Sequence, residues 1–521
     1  MNARGRIAKL GEDGTGHRRA LAVFLIAACA VGLLIQAVSY DYVVDDAYIS
    51  FRYARNLIEG HGLVFNPGER VEGYTNFLWV LIIALGMKLG ADPVNLAKGL
   101  CFTFAVLSMI AVYCYYGRLF SRKGWERLFP AALIAVSPPM AVWALGGLET
   151  TMFAFLITAA VLSHIAARER GSFPLASSIL IGLAALTRPE GVVFALLLFG
   201  DVLIRPDRKR HILFWLVPVA LIYIPYFLWR YTYYGWFFPN TYYAKTGGGT
   251  GQILRGLAYA RDFLLRPGGV ISLLAVVPVL LRRNRKTLLP FLTCAIWALY
   301  VIGVGGDGLA MYRFAVPVLP ICLMLSAEGA WSLVDRLGMR ARKGGNQAIR
   351  IIVYSICILM VLWPSLGSKE RDFVKTDRML VEGHWIPIGK WLRGYARPDE
   401  SIAVGMAGAI PYYSGLYTID MLGITDPHIS HVRMENMGRG VAGHEKHDME
   451  YVVGRRPTYI IHYPFRIRRA VITPAQFENE WNPGLAELPD IPDFVASYEA
   501  VSEEIGGLRI NFFRLKPPAT N

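Results

Sequence analysis

The sequence predicts a polytopic α-helical membrane protein with a small mixed α/β domain at its C-terminal end. Three observations predict it. Only 18% of the 521 residues are charged, against about 25% in an ordinary soluble protein. Apolar runs near the length of roughly 20 residues that crosses a bilayer recur between residues 20 and 366. Beyond 366 those runs stop, and short strand-like stretches alternate with turn-rich segments.

Net charge is +15, but the Lys and Arg residues fall in short clusters between apolar runs. That pattern is expected of cytoplasmic loops, so the charge is not read as a nucleic-acid surface. The six cysteines all lie within apolar runs, without metal spacing. They imply neither a disulfide framework nor a zinc site and are expected as small buried hydrophobes.

Residues 1–19 are polar and basic, a cytoplasmic tail. Residues 20–40 form the first span, an anchor rather than a signal peptide, because the run is long and many spans follow. The short run 75–90 is decided by charge. Were it a crossing, the basic loop 118–129 would fall outside. As an interfacial helix it leaves every later basic cluster inside. The remaining spans are then 94–117, 128–145, 149–167, 174–188, 189–205, 211–231, 267–282, 287–304, 314–336 and 350–366. About eleven crossings follow, with the N-terminus cytoplasmic and the C-terminus outside. Residues 367–521 form the extracytoplasmic α/β domain, its strands expected in SIAVG, YTIDML, PTYIIHY and RINFFRL.

This topology gathers the polar outliers on one external face. The first is the loop 41–93, whose stretch DYVVDDAYISFRYARNLIEGHG carries the adjacent pair Asp45 and Asp46. Two adjacent carboxylates at a span exit can act as a general base, hold a divalent cation or solvate a helix end. The residues after them have helical spacing and reach a glycine stop. A carboxylate at that helix start, beside Arg52 and Arg55, is expected to remain ionised. Arg188 and Arg313 lie at outer span ends, where a charge needs a partner or a task. A guanidinium suits phosphate. The alternative is an ion pair, Arg188 with Glu190 or Arg313 with Asp307. Lys245 follows the aromatic run WFFPNTYYA, read either as a lipid- or sugar-facing loop whose lysine meets phosphate, or as an interfacial belt with a snorkelling lysine. Glu149 and Asp307 complete the external set. His428, His431, His444 and His447 have no metal pattern, and GGGTG (247–251) is expected as a flexible loop.

The stretch DDAYISFRYARNLIEGHGLVFNPGERVEGYTNFLW resembles the first external loop of the GT-C glycosyltransferases, most of all the terminal β-(1→2)-arabinofuranosyltransferases and their bacterial relatives. GLETTMF, LTRPEG, GGDGLAMYRFAVPVLP and DMLGITDPHIS are similar to the same group. The resemblance implies a polyprenyl-phosphate sugar donor, a glycan or lipid acceptor outside the membrane and an aspartate of the first loop as base. On the motif match that base is Asp45 or Asp46, with Asp45 slightly favoured. Arg52, Arg55, Glu149, Arg188, Lys245, Asp307 and Arg313 are the candidate substrate-binding residues, Arg52 and Arg55 by orienting the aspartate pair. The resemblance also implies the inner membrane of a bacterium. No cofactor is required, and a divalent cation is allowed by the carboxylate pair alone. The competing class is a flippase for lipid-linked sugars, which calls for mid-span charges and internal repeats; a scaffold on the same fold is the third.

Overall fold

A computed structural model describes residues 3–205, 208–282, 284–336, 345–366, 368–435, 437–467 and 483–517. The chain is a helical membrane body capped by a small sheet domain. In the first part of the body run α1 (Ala3–Tyr40), α2 (Asp45–Ile58), α3 (Phe77–Lys88), α4 (Pro93–Phe120), α5 (Trp125–Ala135) and α6 (Pro138–Trp143). Then come α7 (Thr150–Glu169), α8 (Leu175–Thr187), α9 (Gly191–Leu203), α10 (Arg208–Tyr234), α11 (Asn240–Lys245) and α12 (Gly249–Leu265). The body closes with α13 (Pro267–Val270), α14 (Val276–Arg282), α15 (Arg285–Gly303), α16 (Leu319–Arg336) and α17 (Gly345–Leu366).

Among the described residues six helical stretches are long and apolar enough to cross a membrane: Ala20–Tyr40, Pro93–Phe120, Thr150–Glu169, Lys209–Tyr234, Arg285–Gly303 and Arg313–Arg336. A seventh follows if α12 and the bent segment after it count as one broken span. The eleven continuous crossings expected from sequence are therefore not all present as single long helices. The run 128–145 breaks between α5 and α6 at Ser137, where Pro138 and Pro139 begin a new helix. The runs 174–188 and 189–205 fold as α8 and α9, of 13 residues each. At 1.5 Å per residue each is about 20 Å long, short of a hydrocarbon core about 30 Å thick. The run 267–282 is divided among α13, a 3-10 turn (Ile271–Ala275) and α14. Helix α3, of 12 residues, is likewise too short to span.

Helix α7 shows what the short pieces do. At its start Glu149 pairs with Arg188, which ends α8. Near its end His164 and Arg168 pair with Asp201 of α9. So α8 and α9 run as a hairpin between two polar layers, one at each end of α7. Helices α7 and α16 are buried over most of their length, whereas few residues of Ala20–Tyr40 and Lys209–Tyr234 are buried. A helix apolar all round is expected in either setting, since lipid covers what protein does not.

The C-terminal domain opens with α18 (Ser368–Leu380), a π-helical turn (Val381–Trp385) and α19 (Ile386–Tyr395). Then come β1 (Ser401–Val404), α20 (Ala409–Ser414), β2 (Tyr417–Asp420), α21 (Pro427–His431), α22 (Met449–Gly454), β3 (Tyr459–Ile467), α23 (Pro492–Ser497), β4 (Tyr498–Ile505) and β5 (Leu508–Leu515). The strands form one sheet in the order β2-β1-β3-β5-β4. Strand β1 runs parallel to β2 and β3, and β5 is antiparallel to β3 and β4. The four strands expected from sequence are β1, β2, β3 and β5; β4, at the sheet edge, was not expected.

The glycines 247–251 are not a free loop. Gly249 begins α12, and a Cβ on Gly248 would lie 2.8 Å from the backbone nitrogen of Gly438. Here the sheet domain and the membrane body touch backbone to backbone, which larger residues would prevent.

Candidate active site

Helix α2 starts at the carboxylate pair, as its sequence implies, but the two aspartates point to different places. Asp45 is buried. Its carboxylate accepts the backbone N–H of Gly408 at 3.0 Å and of Ala409 at 2.7 Å. A Cβ on Gly408 would lie 2.1 Å from the Asp45 carbonyl oxygen, so only glycine fits there. Burial pushes Asp45 up to about 7, against the pull of the Ala409 amide. The expected ionised carboxylate is thus corrected for Asp45. Desolvation outweighs two amide donors, and the charge of Asp46 adds to the cost. Asp45 clamps the sheet domain onto α2 and does not line the cavity beside it.

Asp46, one position on, does line that cavity. About 350 Å³ in volume, the cavity is walled by Asp46, Glu149, Arg188, Lys245, Asp307 and Arg313. Six of the nine candidate residues read from sequence thus converge, from α2, α7, α8, α11 and the loop before α16. Arg313 donates two hydrogen bonds to Asp307, at 2.7 and 2.8 Å, and stands 3.9 Å from Asp46. Met311 and Tyr312, just before it, hold left-handed backbone (φ 51° and 50°). That conformation costs energy for non-glycine residues and concentrates at functional sites. Arg188 donates to Glu149 at 2.7 Å and to Glu190 at 3.0 Å. Both arginines are therefore in the ion pairs foreseen as the alternative reading, while still forming the cavity wall.

Lys245 differs from them. It lines the same cavity but makes no ion pair or hydrogen bond among the described residues. Burial pushes its ammonium down from the usual lysine value, while the charges of Asp46 and Asp307 hold it up. A second device fixes the lysine's helix. The buried Glu72 carboxylate accepts Arg230 Nε at 2.7 and 3.0 Å, and its backbone oxygen accepts the N–H of Asn240, the first residue of α11. The Asn240 side chain donates to the carbonyls of Gly423 and Ile424. The aromatic loop is thereby tied to both the 41–93 loop and the sheet domain.

The remaining candidates, Arg52 and Arg55, are corrected: neither borders the cavity nor orients the aspartates. Arg52 is buried and donates to the carbonyls of Phe65, Pro411 and Leu416 and to Asn66 Oδ1. Arg55 donates to the Tyr412 carbonyl at 2.8 Å and stacks on that ring. Successive helix residues are about 100° apart around the axis. Arg52, Arg55 and Asp45 thus share the face covered by the sheet domain.

Sequence reasoning missed several wall residues. Asn76 donates to Glu149 at 2.7 Å, and Tyr300 to Glu190 at 2.8 Å. Asn76 and Tyr300 both lay inside apolar runs, so neither carried a signal. Asp377, on α18, is pushed up to about 7 by burial and by the charge of Asp46. Among the described residues no three His, Cys, Asp or Glu side chains come together as a metal site. His428 and His447 lie within hydrogen-bonding distance of Asp448 and Glu487 on the sheet domain, at 2.7 and 3.0 Å.

Residues 76–229 match a family model described as dolichyl-phosphate-mannose-protein mannosyltransferase. Residues 376–509 match a domain of unknown function, DUF8728. Over 237 residues, 43% of the chain, the sequence is 30% identical to the terminal beta-(1->2)-arabinofuranosyltransferase of Mycobacterium tuberculosis. Over 382 residues, 64% of the chain, it is 27% identical to the protein of the same name from Corynebacterium glutamicum. The chain spans 38% and 54% of those relatives' lengths. Among solved structures, ArnT from Cupriavidus metallidurans bound to undecaprenyl phosphate superposes with a TM-score of 0.60, over 96% of this chain and 99% of that one, at 14% identity. The fold is that of the GT-C glycosyltransferases, in a multi-pass membrane protein.

Proposed function

We propose that this chain is a glycosyltransferase. It moves a sugar from a polyprenyl-phosphate donor to an acceptor hydroxyl on the extracytoplasmic side, with Asp46 as the base. The observation that carries the reading is the cavity wall. It brings one partly exposed carboxylate, Asp46, the Arg313–Asp307 pair and an ammonium without an ion pair among the described residues, Lys245, to one cavity. Transfer needs both charges. The acceptor oxygen bonds to the anomeric carbon while the bond from that carbon to the phosphate oxygen breaks. The hydroxyl proton passes to Asp46, and the bonding electrons leave with the phosphate, whose growing charge Lys245 meets. Arg313 holds Asp46 in place, and Arg188 fixes Glu149 and Glu190 at the cavity wall as acceptors for sugar hydroxyls. The transition state is oxocarbenium-like, as in glycoside hydrolysis.

The names of the relatives make arabinofuranose the first sugar to test. The charge pattern and the likeness to a structure holding undecaprenyl phosphate support a bacterial inner-membrane location, with the cavity and the C-terminal domain outside and the basic loops cytoplasmic. The experiment is transfer of radiolabel from polyprenyl-phosphate arabinofuranose, and from other pentose and hexose donors, by the purified full-length protein and its Asp46→Asn variant. The reading requires transfer by the wild type and a fall of roughly 10²–10⁴-fold in the variant. Undiminished transfer by Asp46→Asn removes the base. Donor translocation without cleavage replaces the enzyme with a flippase.

A further inference from the structure

The charged residues on the membrane face opposite the cavity fall into two groups that differ in balance. In one, Arg122, Arg282 and Arg350 meet Glu126, Glu328 and Asp335. Three cations there face three carboxylates. The other group is built around Asp201 on α9. Its carboxylate takes His164 at 3.1 Å, Arg168 from α7 and Arg285 from α15 at 3.0 Å. Lys286 pairs with Glu169 at 2.6 Å. Among the described residues Arg168, Arg285 and Lys286 share these two carboxylates. Arg170, Lys209 and Arg210 are exposed, with no ion pair among the described residues.

The group also encloses a cleft of about 280 Å³, lined by the cations Arg168, Arg285 and Lys286, the carboxylates Glu169 and Asp201, and Asn284, Ile165 and Leu289. Nearby, Leu203, Ile204 and Leu288 are exposed apolar side chains. Arg168 of α7 and Arg285 and Lys286 of α15 line one cleft with only two carboxylates among them, and an added anion lowers the repulsion that remains. Guanidinium groups offer several N–H donors, so pairing with Asp201 leaves others available. A phosphate bridging Arg168, Arg285 and Lys286 would remove the surplus, and the exposed leucines offer a path for acyl chains. We propose that this cleft binds the phosphate of an anionic phospholipid of the leaflet opposite the cavity, with Arg168, Arg285 and Lys286 as its ligands.

The test uses the full-length protein in a zwitterionic detergent and a fluorescent phosphatidylglycerol, with phosphatidylcholine and inorganic phosphate as comparison ligands. Variants are Arg285→Gln with Lys286→Gln, and Lys286→Gln alone, which breaks only a surface pair should the double variant fold poorly. Phosphatidylglycerol is expected to bind the wild type in preference to phosphatidylcholine. The double variant should bind it roughly thirtyfold more weakly and Lys286→Gln roughly fivefold. Unchanged affinity in both variants, or equal binding of phosphatidylcholine, overturns the site. Inorganic phosphate that displaces the lipid at equal concentration overturns the lipid as ligand and assigns the cleft to a soluble anion.

Discussion

Replacing Asp45 with Asn separates the structural aspartate from its neighbour. Its carboxyl lies at about 7 in the folded protein, against an ordinary 3.8. Ionising it after folding therefore costs ~4 kcal/mol more than in the unfolded chain. Because the folded value is the higher one, the stability Asp45 contributes is full below pH 3.8 and is lost as pH rises through 7. Between pH 5 and 8 the wild type should lose about 3 kcal/mol relative to a variant that cannot ionise. Asn keeps one acceptor for the Gly408 and Ala409 amides but turns its NH₂ toward the other, costing about 1–3 kcal/mol at every pH. The balance should therefore shift toward the variant as pH rises: the two proteins lie within about 1 kcal/mol of each other at pH 5, and Asp45→Asn is the more stable by about 1–3 kcal/mol at pH 8. Thermal unfolding of detergent-solubilised protein across that range measures the difference, and subtracting the variant cancels other titrating groups. Sugar transfer by Asp45→Asn should stay within about tenfold of wild type, because only Asp46 faces the cavity. A wild type that gains stability over the variant as pH rises, or an Asp45→Asn protein as inactive as Asp46→Asn, would refute the assignment.

Lys245→Met should lower kcat by roughly 10–100-fold, the worth of one hydrogen bond to a charged group, and weaken inhibition by free polyprenyl phosphate. Lys245→Arg should recover part of both, and steady-state kinetics with product inhibition decides it. Arg52→Leu strips the donor from three buried carbonyls and should cost on the order of 3–5 kcal/mol. It should appear as faster proteolysis of the C-terminal domain, with KM unchanged for the protein that remains folded. Gly408→Ala forces a Cβ into Asp45, within 2.5 Å of its carboxylate; it should lower the unfolding midpoint more than Asp45→Asn does, a comparison one melting series makes.

Much of this protein was written locally. The apolar runs named the helices, and the basic clusters grouped the loops opposite the cavity. Asp45-Asp46 marked the start of α2, whose period carried through to Gly60. Alternating β-branched and aromatic residues marked four strands. Strand β4 escaped because YEAVSEEI is an edge strand whose polar residues face solvent. Helices α8 and α9 were legible as apolar but not as short, because the length of a helix is set by where its ends find partners. Arg188 ends α8 against Glu149 of another helix.

The sequence alone determined which residues would collect at one membrane face, because topology follows from hydropathy and charge along the chain. It could not say which of two neighbouring aspartates reaches the cavity. Adjacent side chains on a helix diverge by about 100°, and what each meets depends on a sheet domain that joins the chain more than 300 residues later. That domain brought Gly408 and Ala409 to Asp45 and left Asp46 to Arg313. It also covered Arg52 and Arg55. Only the tertiary structure could show that four of the five candidate cations are already paired or stacked, while Lys245 has no ion-pair partner among the described residues.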